Sequence, residues 1–126
     1  MAAIVFDAGG LIAVDRGDRA VGALLAAAAA SRVEAVTSAA CVAQAWRDPP
    51  RQARLARALS GFLERPLDPA AARDCGSLLA RAGTGDVVDG AVSLLVQSGD
   101  TVVTSDPEDV AHLLDIAGTQ ARIHPA

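Results

Sequence analysis

Ala2-Ala3-Ile4-Val5-Phe6-Asp7-Ala8-Gly9-Gly10 is the stretch from which the rest of the chain can be read. Its first half is a short apolar run and its second half is made of turn residues, the pattern of a buried strand that stops abruptly. Asp7 therefore lies at the carboxyl end of a strand. Downstream, Gly17-Asp18 opens an amphipathic helix with Val21, Leu24 and Leu25 on one face, and Val33 to Val36 reads as a second strand. Strand, helix, strand implies a parallel pair.

The alternation continues along the chain. Thr37-Ser38 caps a helix running to about Arg47, and Asp48-Pro49-Pro50 caps another reaching about Leu63, because proline suits the first helical turn. A short extended piece follows near Arg65 to Leu67. Asp68-Pro69 starts a helix that ends near Gly83, Thr84 starts one that runs to about Gln97, and Thr101 to Thr104 is a strand. Asp106-Pro107 begins a last helix that stops at Gly118, and Ala121 to Ile123 forms an edge strand. Short apolar strands between helices imply an α/β domain over residues 1–126, with a mostly parallel sheet covered on both faces. In such folds ligands bind beyond the carboxyl ends of the strands.

Composition narrows the chemistry. The 126 residues suit one core, and with only Trp46, Phe6 and Phe62 as large rings that core must be aliphatic. No apolar run approaches the roughly 20 residues that span a bilayer, and the N-terminus lacks a signal-peptide pattern, so a cytoplasmic protein with no membrane partner is expected. Cys41 and Cys75 sit in helical patterns without metal-ligand spacing and read as reduced, buried thiols. The net charge of −4 argues against a uniformly basic nucleic-acid binder. Every basic residue is arginine, which excludes mechanisms that need a lysine.

Three segments deliver acids to the carboxyl edge of the sheet: Asp7 after the first strand, Asp86 and Asp89 at the start of a helix, and Asp106 after Thr101 to Thr104. Each alone has a plain structural role. Asp106 is a natural N-cap, Asp86 favours a helix dipole, and Asp7 makes a turn. Together they converge on one end of a parallel sheet, where packed carboxylates raise one another's pKa unless a divalent cation takes their oxygens as ligands. Mg²⁺ or Mn²⁺ is the expected guest. Asp86, Asp89, Ser93 and Gln97 recur at spacings of three and four, so the two aspartates share a helix face.

With these residues placed, the sequence resembles the PIN-domain nucleases, and among them the VapC-type ribonuclease toxins of toxin–antitoxin pairs. The resemblance spans nearly the whole chain and is carried by Ile4 to Ile12, by Asp86-Val87-Val88-Asp89-Gly90-Ala91 and by Val102-Val103-Thr104-Ser105-Asp106. It implies a PIN-like α/β/α sandwich whose acids bind Mg²⁺ or Mn²⁺ and cleave RNA. Asp7, Asp86 and Asp106 match three of the family's metal positions, and Thr104 and Ser105 would position ligands or phosphate. The family's helical glutamate falls in the segment Val42-Ala43-Gln44-Ala45-Trp46-Arg47, where this chain has Gln44. Glutamine offers a carbonyl oxygen but no charge and cannot be a general base. Asp89 is then the candidate for a fourth catalytic carboxylate. The resemblance also implies a homodimer and a small antitoxin partner.

Arg47, Arg51, Arg54 and Arg57 recur at spacings of four, three and three, as a basic edge for RNA phosphates or simply as a solvated face. Ile4-Val5-Phe6-Asp7 also resembles the opening of haloacid-dehalogenase-like phosphatases. That family needs an aspartate where Gly9 stands and a lysine the chain lacks, and response-regulator receivers fail on the same lysine. The rival that remains is a non-catalytic PIN-like binding module, for which Gln44 is the evidence.

Overall fold

Ile4, Val5 and Phe6 are all buried, as a strand covered on both sides requires. They form β1 (Ile4–Phe6) in a computed structural model that describes residues 2–126. With β2 (Ala35–Ser38), β3 (Phe62–Arg65), β4 (Thr101–Thr104) and β5 (Arg122–Pro125) it makes one sheet in the order β3-β2-β1-β4-β5. Every pairing is parallel, and Val5 lies opposite Val36 on one side and Val102 on the other. The chain builds outward from β1 through β2 and β3, then returns to β4 on the far side. That reversal of strand order opens a crevice beyond the carboxyl ends of β1 and β4.

The helices are α1 (Ala8–Asp15), α2 (Arg19–Ala30), α3 (Ala39–Ala45), α4 (Ala53–Leu59), α5 (Pro69–Ala82), α6 (Val87–Ser93) and α7 (Pro107–Ala117). α1 packs against α2, α3 and α4, while α5, α6 and α7 pack on one another. The main core gathers β1, β2 and β4 with Leu11, Val21, Leu55, Val92 and Val110. A smaller cluster of Cys75, Leu78, Leu79, Ala91 and Leu113 joins α5, α6 and α7. Cys41 and Cys75 are free and buried. No helix among the described residues is long and apolar enough to cross a membrane.

Four local expectations are corrected. Asp7 to Gly10 is not a turn but the start of α1: the Asp7 carboxylate accepts the Gly10 N–H at 2.8 Å and caps the helix. Two glycines are tolerated in its first turn because the helix lies tight against its neighbours. A side chain on Gly9 would collide with Ser105, and one on Gly10 would stand 2.8 Å from the Val103 carbonyl oxygen.

The helix expected from Asp48 to Leu63 is instead a 3₁₀ turn at Pro49–Arg51, then α4, then strand β3. Buried Gln52 breaks it. Its side-chain carbonyl accepts the N–H groups of Arg47 and Asp48, both at 2.8 Å, and its amide donates to the Ala45 carbonyl at 2.9 Å and to Asp15 at 3.2 Å. Phe62 then leaves the helix to meet Phe6 edge to face, with ring centroids 5.1 Å apart, so the extended piece lies at Phe62–Arg65 and not at Arg65 to Leu67. The helix expected from Thr84 to Gln97 is also shorter, because Asp86 is its cap and its last residue is Ser93.

Candidate metal centre

Asp7 follows β1, Asp106 follows β4, and these strands are neighbours on either side of the crevice. α6 brings the third acid. One carboxylate oxygen from each of Asp7, Asp89 and Asp106 lies within 4.8 Å of the others. Asp7 and Asp89 are buried, at 2% and 7% exposure, while Asp106 is open to solvent. The group therefore has an inner wall and an accessible rim.

Local structure explains which carboxylates are free. Asp86 is exposed and spends one oxygen on the backbone N–H of Asp89 at 3.0 Å, the ordinary work of an N-cap. Asp89, one turn in, points inward. Of the two acids on this helix, it is Asp89 that comes within 4.8 Å of Asp7 and Asp106, while Asp86 caps the helix next to them. Asp106 also occupies an N-cap position, yet its side chain makes no cap hydrogen bond. Its carboxylate is left for the site.

The electrostatics record the crowding. Burial pushes the Asp7 carboxyl above its ordinary value; the Thr104 hydroxyl and the Gly10 and Ser105 N–H groups draw it back, and the charge of Asp106 raises it. Asp89 is pushed up to about 7, first by burial and then by the charges of Asp86, Asp106, Asp7 and Asp109. Burial, followed by the neighbouring charge of Asp7, pushes the Cys41 thiol up to about 12, so it is a neutral wall of the site. Thr104 is fully buried and its Oγ1 also accepts the Asp106 N–H at 2.9 Å, tying two of the acids together. On the Asp89 face of α6, one turn on, the Ser93 hydroxyl is buried without a hydrogen-bond partner among the described residues.

Three carboxylates are the donor set of a hard divalent cation. Oxygens about 2.1 Å from one Mg²⁺ or Mn²⁺ lie about 3.0 Å apart when cis and about 4.2 Å apart when trans, so the group must draw in somewhat to share one ion. The exposed and uncapped Asp106 has the freedom to do so. The residues fit such an ion.

The remaining expected residues are scattered. Gln44 is exposed on α3 and lies outside the carboxylate group; its backbone carbonyl accepts the Arg47 Nε at 3.1 Å. Ser105 is exposed at the rim, its side chain against Gly9. Arg47, Arg51, Arg54 and Arg57 are exposed but belong to a loop, the 3₁₀ turn and α4, and Arg51 faces Asp48 at 3.5 Å. They do not run along one continuous helical edge. Asp109 and Cys41 were not anticipated. The Asp106 to Asp109 spacing of three at a helix start was the available signal for Asp109, whereas Cys41 lies near Asp7 only through the packing of α3 on α1.

No protein-family model and no curated protein matches this chain. Solved structures do resemble it. A chain of VapBC2 from Rickettsia felis, solved bound to a DNA fragment from its promoter, superposes with a TM-score of 0.66 over 97% of this chain and 98% of that one, at 13% sequence identity. A chain of DNA-bound VapBC from Salmonella typhimurium gives 0.63 over 98% of each chain, at 16% identity. At such identities the likeness is one of fold, and it is the PIN-like α/β/α arrangement implied by the sequence resemblance.

Proposed function

We propose that the chain is a metal-dependent ribonuclease, the toxin of a toxin–antitoxin pair. One observation carries the reading: Asp7, Asp89 and Asp106 arrive from three separate elements with oxygens within 4.8 Å at the carboxyl edge of a parallel sheet. The sequence resemblance and the fold shared with VapBC chains support it. Asp7, Asp89 and Asp106 would hold Mg²⁺ or Mn²⁺, which when bound stabilises negative charge on a phosphate and acidifies a water. The protein's own part is positional. Gly10, Thr104 and Ser105 fix the Asp7 carboxylate, Thr104 fixes the approach of Asp106, and Asp86 holds the first turn of α6 so that Asp89 faces inward. The Ser105 hydroxyl stands at the rim, where phosphate would enter.

In this reading Asp89 is the carboxylate that the chain uses, and Gln44, exposed and uncharged, contributes little. RNA is the substrate, the active form is a homodimer, and the neutralising partner is a small antitoxin that places a basic side chain among the acids, where an arginine pairs well with carboxylates. The test is cleavage of a labelled RNA in Mn²⁺. Asp7→Asn and Asp89→Asn should each reduce the rate by at least about a hundredfold, a loss of about 2.7 kcal/mol in transition-state stabilisation. Gln44→Glu should change it little. The second reading, a binding module without turnover, is favoured by Gln44 itself. An inactive wild type that Gln44→Glu does not rescue would select it.

A further inference from the structure

A second cleft begins where the acidic group ends. It has a volume of about 480 Å³ and is lined by Gly9, Ile12, Ala13, Arg16, Asp18, Ser105 and Ala126. Gly9 and Ser105 form its mouth on the acid side, since Gly9 lies two residues from Asp7 and Ser105 precedes Asp106. Gly9, Ile12, Ala13 and Arg16 are spaced by three, one and three, so they follow one face of α1 away from the acids. Seven residues of helix span about 10 Å. The cleft thus runs from the segments that carry Asp7 and Asp106, past Ile12 and Ala13, to a guanidinium.

The far end is more basic than the lining alone suggests. A side chain on Gly17 would stand 2.7 Å from Nη1 of Arg54, which puts that guanidinium over the α1–α2 turn, one residue from Arg16. Neither arginine is within ion-pairing distance of a carboxylate among the described residues, where the pair found is Arg51 with Asp48. The nearest acid in the lining, Asp18, has an oxygen committed to the Val21 N–H at 2.9 Å as the cap of α2. A free guanidinium in the lining, Arg16, with Arg54 held against the next residue of the same turn, suits a phosphate, and the Ile12 and Ala13 strip on the acid side of Arg16 suits the ribose and base that join two phosphates.

We infer that this cleft seats the nucleotide next to the scissile phosphate, with Ile12 and Ala13 beneath the nucleoside and Arg16 with Arg54 on its outer phosphate. The inference rests on the ribonuclease reading and extends it to a substrate subsite. It also gives Arg54 a role that does not depend on a continuous basic edge.

The test uses a fluorescein-labelled oligouridylate, followed by cleavage in Mn²⁺ and by fluorescence anisotropy in chelator, each across a salt series. Arg16→Ala and Arg54→Ala should each raise KM, and the Kd in chelator, about five- to tenfold, and reduce the slope of log affinity against log salt by about one. kcat should stay within about twofold, because the lost contact is made equally before and in the transition state. Arg16→Lys should keep the slope. Ile12→Trp, which fills the floor, should raise KM and leave the slope alone. If the wild type binds or cleaves the RNA and both alanine variants match it in affinity and slope, the subsite is wrong and the ribonuclease reading stands. A wild type that neither binds nor cleaves overturns both. Loss of affinity for a protein partner, with RNA binding unchanged, would assign the cleft to that partner and overturn the proposal.

Discussion

Asp89 reaches the midpoint of its titration near neutral pH because burial and four neighbouring aspartates oppose its ionised form. Its folded pKa of about 7 lies well above the roughly 3.9 of a free aspartate, so the native state holds this proton more tightly than the unfolded chain does. The stability it contributes is full below about pH 4 and is lost as pH rises to about 7, at up to about 1.4 kcal/mol per pH unit. Asp7 is shifted in the same direction. Thermal melts of the metal-free protein should therefore fall in Tm between pH 5 and pH 7, and Asp89→Asn should flatten that fall and melt higher at pH 7.5. A wild-type Tm that rises with pH and is unaltered by Asp89→Asn would contradict the crowding. Sequence placed Asp7 and Asp106 at strand ends correctly, because a strand followed by turn or capping residues is a local pattern. It did not separate Asp86 from Asp89. Two acids three residues apart share a helix face, and only the backbone geometry of the cap decides which one is used up on an N–H group.

At the scale of elements, α1, α3 and α4 are tied together by a joint that includes none of the three clustered carboxylates. Gln52 is 6% exposed and its amide makes four hydrogen bonds, to the N–H groups of Arg47 and Asp48, to the Ala45 carbonyl and to Asp15, which closes the ends of α1 and α3 onto the start of α4. Gln52→Ala leaves those groups without partners in a place that water reaches poorly, and should cost about 2–4 kcal/mol in urea unfolding, with Gln52→Glu recovering only part. A loss below about 0.5 kcal/mol would mean that the joint is dispensable. This element pattern was hidden in the sequence. Pro49-Pro50 suggests a helix start, and nothing local says that Gln52 will interrupt it by bonding backward to Arg47 and Asp48. α1 was hidden for the opposite reason: Gly9-Gly10 reads as a turn, and only the close packing of Gly9 on Ser105 and of Gly10 on Val103 explains glycine in a helical first turn. α5, β4 and α7 were legible because Asp68-Pro69, Asp106-Pro107, Gly83 and Gly118 are strong start and stop signals.

Over the whole molecule, the order β3-β2-β1-β4-β5 sets β1 beside β4 and so turns two aspartates that are 99 residues apart in sequence into neighbours. Parallel alternation was readable from the chain; the placing of β4 against β1 follows from the switch in strand order that such sheets adopt. α6 adds the third acid from above the same edge. Three carboxylates gathered this way repel one another, and on the proposed reading a divalent cation relieves this, so metal should bind the native state alone and raise its stability by about 2.7 kcal/mol at a concentration a hundredfold over Kd. The most direct measurement is calorimetric titration of Mn²⁺ into the wild type and into Asp7→Asn, Asp86→Asn and Asp89→Asn, each checked for an unchanged fold by circular dichroism. The wild type and Asp86→Asn should bind with closely similar affinity, since asparagine caps as well as aspartate, while Asp7→Asn and Asp89→Asn should lose the heat of binding. Absence of Mn²⁺ binding by the wild type, or binding lost in Asp86→Asn and kept in Asp89→Asn, would contradict the assignment of the centre to Asp7, Asp89 and Asp106.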